Sequence, residues 1–365
     1  MKMPKPADAT AAKSASPKVD DAAVPARSAL PALTRRSVIG AAIAAPFVLR
    51  SGNAFADDAL SVRVDFAPWG VQSALHLSLV KGWFKNDGLK VDLQDGTGTL
   101  NTINLVASGQ VDVGLVQLGP MAIARAQGLP VTSFAGFLRK GDLAVMVDEK
   151  SGPKTAKELA GKKIVCFANS PWAPFVDAYL KRIGFERGEG AGKVNVVMLS
   201  PAAMVPTYAS GGADGFMSMK EFGLPFVEDV RPARAFLAAD AGIVFPSFGL
   251  MTTEATLQKR KDVLMRLAAN QARAWKYIFE SPAHIDEAAR AVITNRPDKQ
   301  LSFKILRGQT ALCEEFLNTA NTAGKPLGWQ SSDDWKEAIA LMKEVGQIKT
   351  DLKPADCFTN DFFKA

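Results

Sequence analysis

The sequence predicts an α/β fold of two similar lobes joined by a hinge, followed by a helical C-terminal segment. Three observations lead there. Short β-branched runs alternate with helical stretches between residues 61 and 217, the pattern of a mainly parallel sheet. The alternation repeats at an offset of 102 residues, matching Val64 with Cys166, Gly82 with Gly184, Ser108-Gly109 with Ser210-Gly211 and Asp112 with Asp214. Beyond Thr252 the β-type runs stop and amphipathic helical periodicity takes over. Helix-glycine-strand units share this chemistry without being repeats. The offset is persuasive because it holds across helix ends and strand starts together.

Taken in chain order, the first element is an export signal. Thr34-Arg35-Arg36-Ser37 precedes an apolar run at 38–49, and Ala54-Phe55-Ala56 stands just before Asp57-Asp58. A charged start, a short apolar centre and a small-x-small cleavage site have the form of a translocated leader. The apolar run holds 12 residues, against the roughly 20 that span a bilayer as a helix, so cleavage after Ala56 is expected. The Arg35-Arg36 pair resembles a twin-arginine signal, with the twin-arginine and general secretory routes both left open. Residues 1–56 carry eight Lys/Arg and three Asp/Glu, so +5 of the formal +7 leaves with them and the remaining 309 residues stand near +2. No basic run remains that would track phosphates, and no nucleic-acid partner is expected. A hydrophobic content of 47% supports a large core, and at roughly 100 to 200 residues per domain two lobes are expected.

Strands are predicted at 61–66, 89–94, 111–116, 131–137 and 143–147, with helices at 72–84, 99–108 and 119–127. Gly82 or Gly88, Gly109 and Gly128 close these helices as left-handed C-caps do. The second alternation has helices at 155–160, 172–183 and 201–210 and strands at 163–167, 193–198 and 214–217. A return strand at 249–252 precedes four amphipathic helices between 254 and 345, broken near Ser281-Pro282, Arg296-Pro297 and 324–332. The chain therefore passes into a second lobe and comes back: residues 57–147 and 250–365 form lobe 1, and 148–249 form lobe 2.

Ligands of open parallel sheets bind beyond the carboxyl ends of the strands, near helix starts. Five segments point there. Phe66-Ala67-Pro68-Trp69-Gly70-Val71-Gln72 sets Trp69 in a Pro/Gly turn, as a flat wall for a planar ligand or as packing for its own domain. Asp95-Gly96-Thr97-Gly98-Thr99 offers backbone N–H donors and the Thr97 and Thr99 hydroxyls, although Thr99 also suits an N-cap. It lacks a third glycine and a following Lys-Ser/Thr, so it is no nucleotide fingerprint. Gln117 ends the third strand, and Asn169-Ser170-Pro171-Trp172 follows the first strand of lobe 2, where Trp172 would face Trp69 as a stacking clamp. In Met217-Ser218-Met219-Lys220-Glu221, Glu221 can accept from an amino or amidine-like group near Met219, or form a solvated pair with Lys220.

No catalytic or metal constellation is legible. His76 and His284 lie over 200 residues apart, with no nucleophile motif near either. Ser151-Gly152-Pro153-Lys154 sits in a Gly/Pro linker without partner motifs. Cys166, Cys313 and Cys357 have no metal-ligand spacing. A Cys313–Cys357 disulfide and buried free thiols both stay open.

Lys81-Gly82-Trp83-Phe84, then Asp87-Gly88-Leu89-Lys90-Val91, then Val106-Ala107-Ser108-Gly109-Gln110-Val111-Asp112-Val113-Gly114 resembles a run found in periplasmic solute-binding proteins of ABC importers. The resemblance is to the branch that takes up nitrate, sulfonates, taurine and thiamine-pyrimidine precursors. It covers nearly all of the chain after the leader and is most specific over its first 90 residues. It implies a periplasmic binding protein type II-like fold, with hinge strands near 145–148 and 249–252 that let the lobes close on one small ligand. Thiamine-precursor members often read D-W-T-P-N-x-x-H after the first strand. Here Asp65 and Pro68 match, while Phe66, Trp69 and Gln72 replace the tryptophan, asparagine and histidine. The related yeast-type pyrimidine synthases consume that histidine and carry a cysteine-rich iron motif, so Gln72 and the scattered cysteines argue against their activity. The resemblance thus implies a monomeric periplasmic receptor, not an enzyme, without cofactor or metal, partnered by an inner-membrane ABC permease. A planar nitrogen heterocycle such as a thiamine-pyrimidine precursor is the expected ligand. A sulfonate, taurine, nitrate or aromatic acid is the alternative, leaning on N–H donors at 97–99 and Ser170.

Overall fold

The computed structural model describes residues 58–167 and 170–363. The leader with its cleavage point and twin arginines, and Asn169, lie outside the described residues. Eleven strands occur among the described residues: β1 (Asp58–Arg63), β2 (Leu89–Gln94), β3 (Val113–Gln117), β4 (Val131–Gly136), β5 (Leu143–Asp148), β6 (Lys163–Phe167), β7 (Glu186–Arg187), β8 (Lys193–Leu199), β9 (Gly215–Met219), β10 (Ala233–Leu237) and β11 (Phe248–Thr253). They form two sheets, ordered β2-β1-β3-β11-β4 and β10-β5-β9-β6-β8-β7. In the first, β1 runs parallel to β2 and β3, and β11 is antiparallel to β3 and β4. In the second, β6 runs parallel to β8 and β9, and β5 is antiparallel to β9 and β10. The two sheets share one plan, with β5 and β11 exchanged between them.

The 102-residue offset is carried by chemistry as well as by strand order. Asp112 Oδ2 accepts from the Ser61 N–H and hydroxyl, both at 2.8 Å. Asp214 Oδ2 accepts from Lys163 N–H at 2.8 Å, 102 residues further along at both ends. In each lobe the aspartate ties the loop before the third strand to the first. Asp112→Ala is expected to cost about 2 kcal/mol, because two donors lose their acceptor, and Asp214→Ala about 1 kcal/mol. Urea midpoints measure both.

Two elements that the sequence reading lacks fall on the same offset: helix Lys220–Val227, equivalent to Leu118–Ala126, and β10, equivalent to β4. Gly223 and Pro225 obscure the helix and Arg234 interrupts the apolar run of the strand. Other expectations shorten locally. The helix at 72–84 divides into a 3₁₀ turn at Gly70–Gln72, Ser73–Val80 and Trp83–Asn86, broken at Gly82 with φ 66°. That at 155–160 is a 3₁₀ turn, Ala156–Glu158, and that at 172–183 is regular over Val176–Arg182.

The expected crossing points at 145–148 and 249–252 are corrected. Both stretches lie inside paired strands, β5 and β11, the latter with a register shift against β4 between Leu250 and Met251. The chain instead changes sheet at residues 137–142 and 242–247. The crossings lie side by side: Ser247 N–H donates to Leu138 O (2.9 Å) and Phe137 N–H to Phe248 O (2.9 Å). The Ser247 hydroxyl also donates to Asp142 Oδ2.

Past β11 the chain is helical at Glu254–Lys259, Lys261–Ile278, Pro282–Asn295, Phe303–Leu312, Ser332–Glu344 and Pro354–Cys357. Thr253, Ser281, Ser302 and Ser331 cap four of these through their side chains. Helix Pro282–Asn295 packs on Ser73–Val80 in lobe 1, and Phe303–Leu312 packs on both Pro282–Asn295 and Lys220–Val227 of lobe 2. The C-terminal segment therefore touches both lobes at their junction.

Candidate functional site

The first wall of the junction is the loop after β1. Asp65 is buried, and its Oδ1 accepts from Trp69 Nε1 and Gln72 Nε2, each at 3.2 Å. Gln72 Nε2 also reaches Phe66 O (3.3 Å) and Ala67 O (3.1 Å), which closes the loop on itself. Burial pushes the Asp65 carboxyl up to about 7, against the pull of those hydrogen bonds. The Trp69 ring meets Phe222 of lobe 2 edge-on at 5.2 Å and Phe248 of β11 at 5.4 Å. Gln309 links the lobes: its Oε1 accepts from Gly70 N–H (3.1 Å) and its Nε2 donates to Phe222 O (3.1 Å).

The second wall is built on strand ends. Gln117 closes β3 and Met219 closes β9, each immediately before a helix. Leu143 pairs with Met219, and Lys220 N–H donates to Asp142 O at 2.9 Å. This ladder sets Asp142 against the strand end that carries Glu221, and both residues are fully buried. Burial raises both; Glu221 stands well above the usual carboxylate range, first by desolvation and then by the negative charge of Asp142. The buried Cys313 thiol is also pushed up, by desolvation and then by Glu221 and Asp142.

On the strand ends and crossings that carry these carboxyls stand buried polar atoms without hydrogen-bond partners: both Glu221 oxygens, Asp142 Oδ1, Ser218 Oγ and both amide atoms of Gln117. Contacts connect these elements: Gln117 pairs with Phe248, Leu118 N–H donates to Ser247 O (2.7 Å), and Trp172 Nε1 donates to Ser218 O (3.0 Å). Buried polar groups are ordinarily satisfied because an unpaired one costs about 1–3 kcal/mol. Six such atoms on these neighbouring strand ends therefore mark the place where a polar guest would find partners. Surface depressions of about 500 and 440 Å³ lie elsewhere, beside Trp83 and Tyr277 and along the β1–β2 edge. Neither is lined by any of these unpartnered atoms.

Comparison with known proteins agrees with this architecture. Residues 73–285 match the family described as NMT1/THI5 like. The chain belongs to the NMT1/THI5-like family. It is similar to the formylaminopyrimidine-binding protein of Halalkalibacterium halodurans, 22% identical over 83% of this chain and 90% of that protein. It is also similar to the 4-amino-5-hydroxymethyl-2-methylpyrimidine phosphate synthase THI11 of Saccharomyces cerevisiae, 32% identical over 29% of this chain and 32% of the yeast protein. Among solved structures, the alkanesulfonate-binding protein of Xanthomonas axonopodis pv. citri bound to MOPS aligns with a TM-score of 0.59 at 15% identity, covering 82% of this chain and 98% of that one. The periplasmic nitrate-binding protein of Synechocystis PCC 6803 aligns at 0.60 and 11%, covering 83% and 86%. The periplasmic binding protein fold expected from the sequence is thus shown.

Within this NMT1/THI5-like chain, Trp69, Gln72, Gln117, Met219 and Glu221 are all buried at the junction, and Phe66 is half-buried with its ring 6.5 Å from Phe222. Trp172 is buried too, but edge-on to Tyr179 at 5.2 Å. The expected Trp69–Trp172 clamp gives way to two rings that each have their own partners. Ser170 faces Cys166, Oγ to Sγ 3.2 Å. Thr97 is exposed and donates to Asn101 Oδ1 at 3.1 Å, while Thr99 opens helix Thr99–Ala107 behind Gly98 as cap. The glycine turn serves the backbone: Gly96 N–H donates to Phe66 O (3.0 Å) and Gly98 N–H to Asp65 O (2.7 Å). A Cβ on Gly96 would stand 2.1 Å from Val64 O. Lys220 pairs with Glu315, so no solvated Lys220–Glu221 pair forms.

His76 is buried and lowered to about 3 by desolvation and by Arg296, so it stays neutral in the helix where Asn295 holds it. His284 stacks on Tyr277, with ring centroids 3.7 Å apart. Cys166, Cys313 and Cys357 are buried free thiols, so Cys313 and Cys357 form no disulfide. Sequence reading missed Asp142, Phe222, Ser247 and Gln309, and named Ser218 only as part of the segment from Met217 to Glu221. Gln309 had a signal: Leu306, Gln309, Thr310 and Cys313 are spaced as one buried helix stripe, and a polar residue on such a stripe needs partners.

Proposed function

We propose that this protein is the periplasmic receptor of an ABC importer and that it holds a small planar nitrogen heterocycle, of the amino-pyrimidine class, between its lobes. The observation that carries the reading is Glu221, fully buried where the lobes meet, both oxygens without a donor and a second carboxyl beside it. Exocyclic N–H groups supply donors to such a site. The amide of Gln117 and the hydroxyl of Ser218 can serve a second edge, and the Trp69, Phe222 and Phe248 rings shape the apolar wall. A sulfonate or nitrate would bring negative charge into a low-dielectric space already holding two acids, at a cost that grows as the dielectric falls. The name of the Halalkalibacterium relative supports the same ligand class.

Residues 57–142 with 243–365, and 143–242, serve as the two jaws, with the paired crossings as hinge and an inner-membrane permease reading the closed state. A receptor role fits better than a synthase role. Both histidines are held by other groups, and Gln72 is committed to the Asp65 loop. Isothermal calorimetry with 4-amino-5-hydroxymethyl-2-methylpyrimidine tests the reading. One-to-one binding, with the compound recovered unchanged by mass spectrometry, is expected. No heat with that compound, alongside saturable binding of MOPS or nitrate, would overturn it.

A further inference from the structure

Resting on the amino-pyrimidine reading, we propose that Asp142 and Glu221 work as one carboxyl pair holding a single proton, and that this pair selects ligands with an amino group beside an unprotonated ring nitrogen. If both acids were ionised, Asp142 Oδ1 and both Glu221 oxygens would be buried charged oxygens without a hydrogen-bond partner. The Lys220 N–H donates to Asp142 O at 2.9 Å, so the two acids are held on adjoining strand ends, and both are fully buried. A single proton between them resolves the geometry, since one oxygen then donates and its neighbour accepts. Like charges in a shared dry space do not both ionise.

The charged and titratable groups facing the pair do not replace that proton. Lys220, next to Glu221 in sequence, directs its ammonium to Glu315. Cys313, from the turn after Phe303–Leu312, holds its proton and donates to Gln309 O at 3.3 Å. Ser247 gives its hydroxyl to Asp142 Oδ2 from the opposite crossing. The pair is therefore a neutral acid next to a carboxylate, one donor and one acceptor side by side. An amidine-type edge is the complement: on binding, its amino N–H donates to the carboxylate, and the acid's O–H turns from its neighbour to the ring nitrogen. The proton stays on oxygen or shifts to the ring nitrogen, and no other bond changes. Asp142 sits on one crossing and bonds the other, so filling the pair also engages the hinge.

The test is calorimetric titration of the wild-type protein and Asp142→Asn with 4-amino-5-hydroxymethyl-2-methylpyrimidine from pH 5 to 9, in buffers of different ionisation enthalpy. Wild-type affinity is expected to fall about tenfold per pH unit above the point where the pair loses its proton, with one proton taken up on binding there. Asp142→Asn keeps an N–H donor that does not titrate, so its profile should flatten. The 4-oxo analogue, whose edge reverses donor and acceptor, should bind the wild-type at least 100-fold more weakly. Constant affinity and no proton uptake across the range in the wild-type overturn the pair even if the variant does not fold. Parallel profiles of a folded variant, or equal affinity for the analogue, also overturn it while leaving the receptor reading intact. Absence of pyrimidine binding at every pH removes both.

Discussion

Trp69→Ala is expected to lower the unfolding free energy by about 3–5 kcal/mol, the range for deleting a large buried aromatic. Two terms combine. The ring lies between Phe222 and Phe248, so its loss opens a cavity at the lobe junction. Its indole N–H is also one of the two side-chain donors to Asp65 Oδ1. Removing that donor raises further a carboxyl that burial already holds near 7. A folded-state value above the unfolded one stabilises at low pH, and that contribution is lost as pH rises from about 3.8 through 7 and, in the variant, beyond. The penalty should therefore be greater at pH 8 than at pH 5. Urea unfolding at both values checks it; a penalty that is small, or equal at the two pH values, would mean that Trp69 does not support Asp65.

Glu221→Gln is expected to weaken amino-pyrimidine binding about 10- to 100-fold, since the amide puts an N–H where the ligand's amino group needs an acceptor, and a buried donor left without one costs about 1–3 kcal/mol. The same change should stabilise the empty protein at alkaline pH. The folded-state value of Glu221 is raised, so the native protein binds more protons than the unfolded chain, and stability is lost as pH climbs above about 4.5. An amide does not ionise and escapes that loss, which amounts to at most about 1.4 kcal/mol for each pH unit. Binding weakened in a protein that unfolds later at pH 8 separates a role in recognition from damage to the fold. Unchanged affinity would remove Glu221 from the site.

Much of the architecture was legible because it follows from local periodicity. β2 and β6 fall where the β-branched runs place them, and Gly82, Gly109, Gly184 and Gly211 all adopt the positive φ that their C-cap reading requires. The 102-residue offset could have gone further: applied to 118–126 and 131–136 it marks the Lys220–Val227 helix and β10, which composition alone conceals. Within the site, Trp69, Gln117 and Glu221 could be named because they end strands or occupy loops after them. Asp142 could not, since a lone aspartate ahead of an apolar strand reads as ordinary turn chemistry.

By itself, then, the sequence determined the two alternating lobes, their repeat, the helical tail and the strand ends where recognition belongs, because each rests on contacts between residues near in the chain. Only the tertiary structure decided that the chain crosses at 137–142 and 242–247, that Gln309 joins Gly70 to Phe222, and that Asp142 lies against Glu221. These meetings join residues 79 to 239 positions apart. Their consequences, a shared proton and polar atoms without donors, depend on burial that no local pattern encodes.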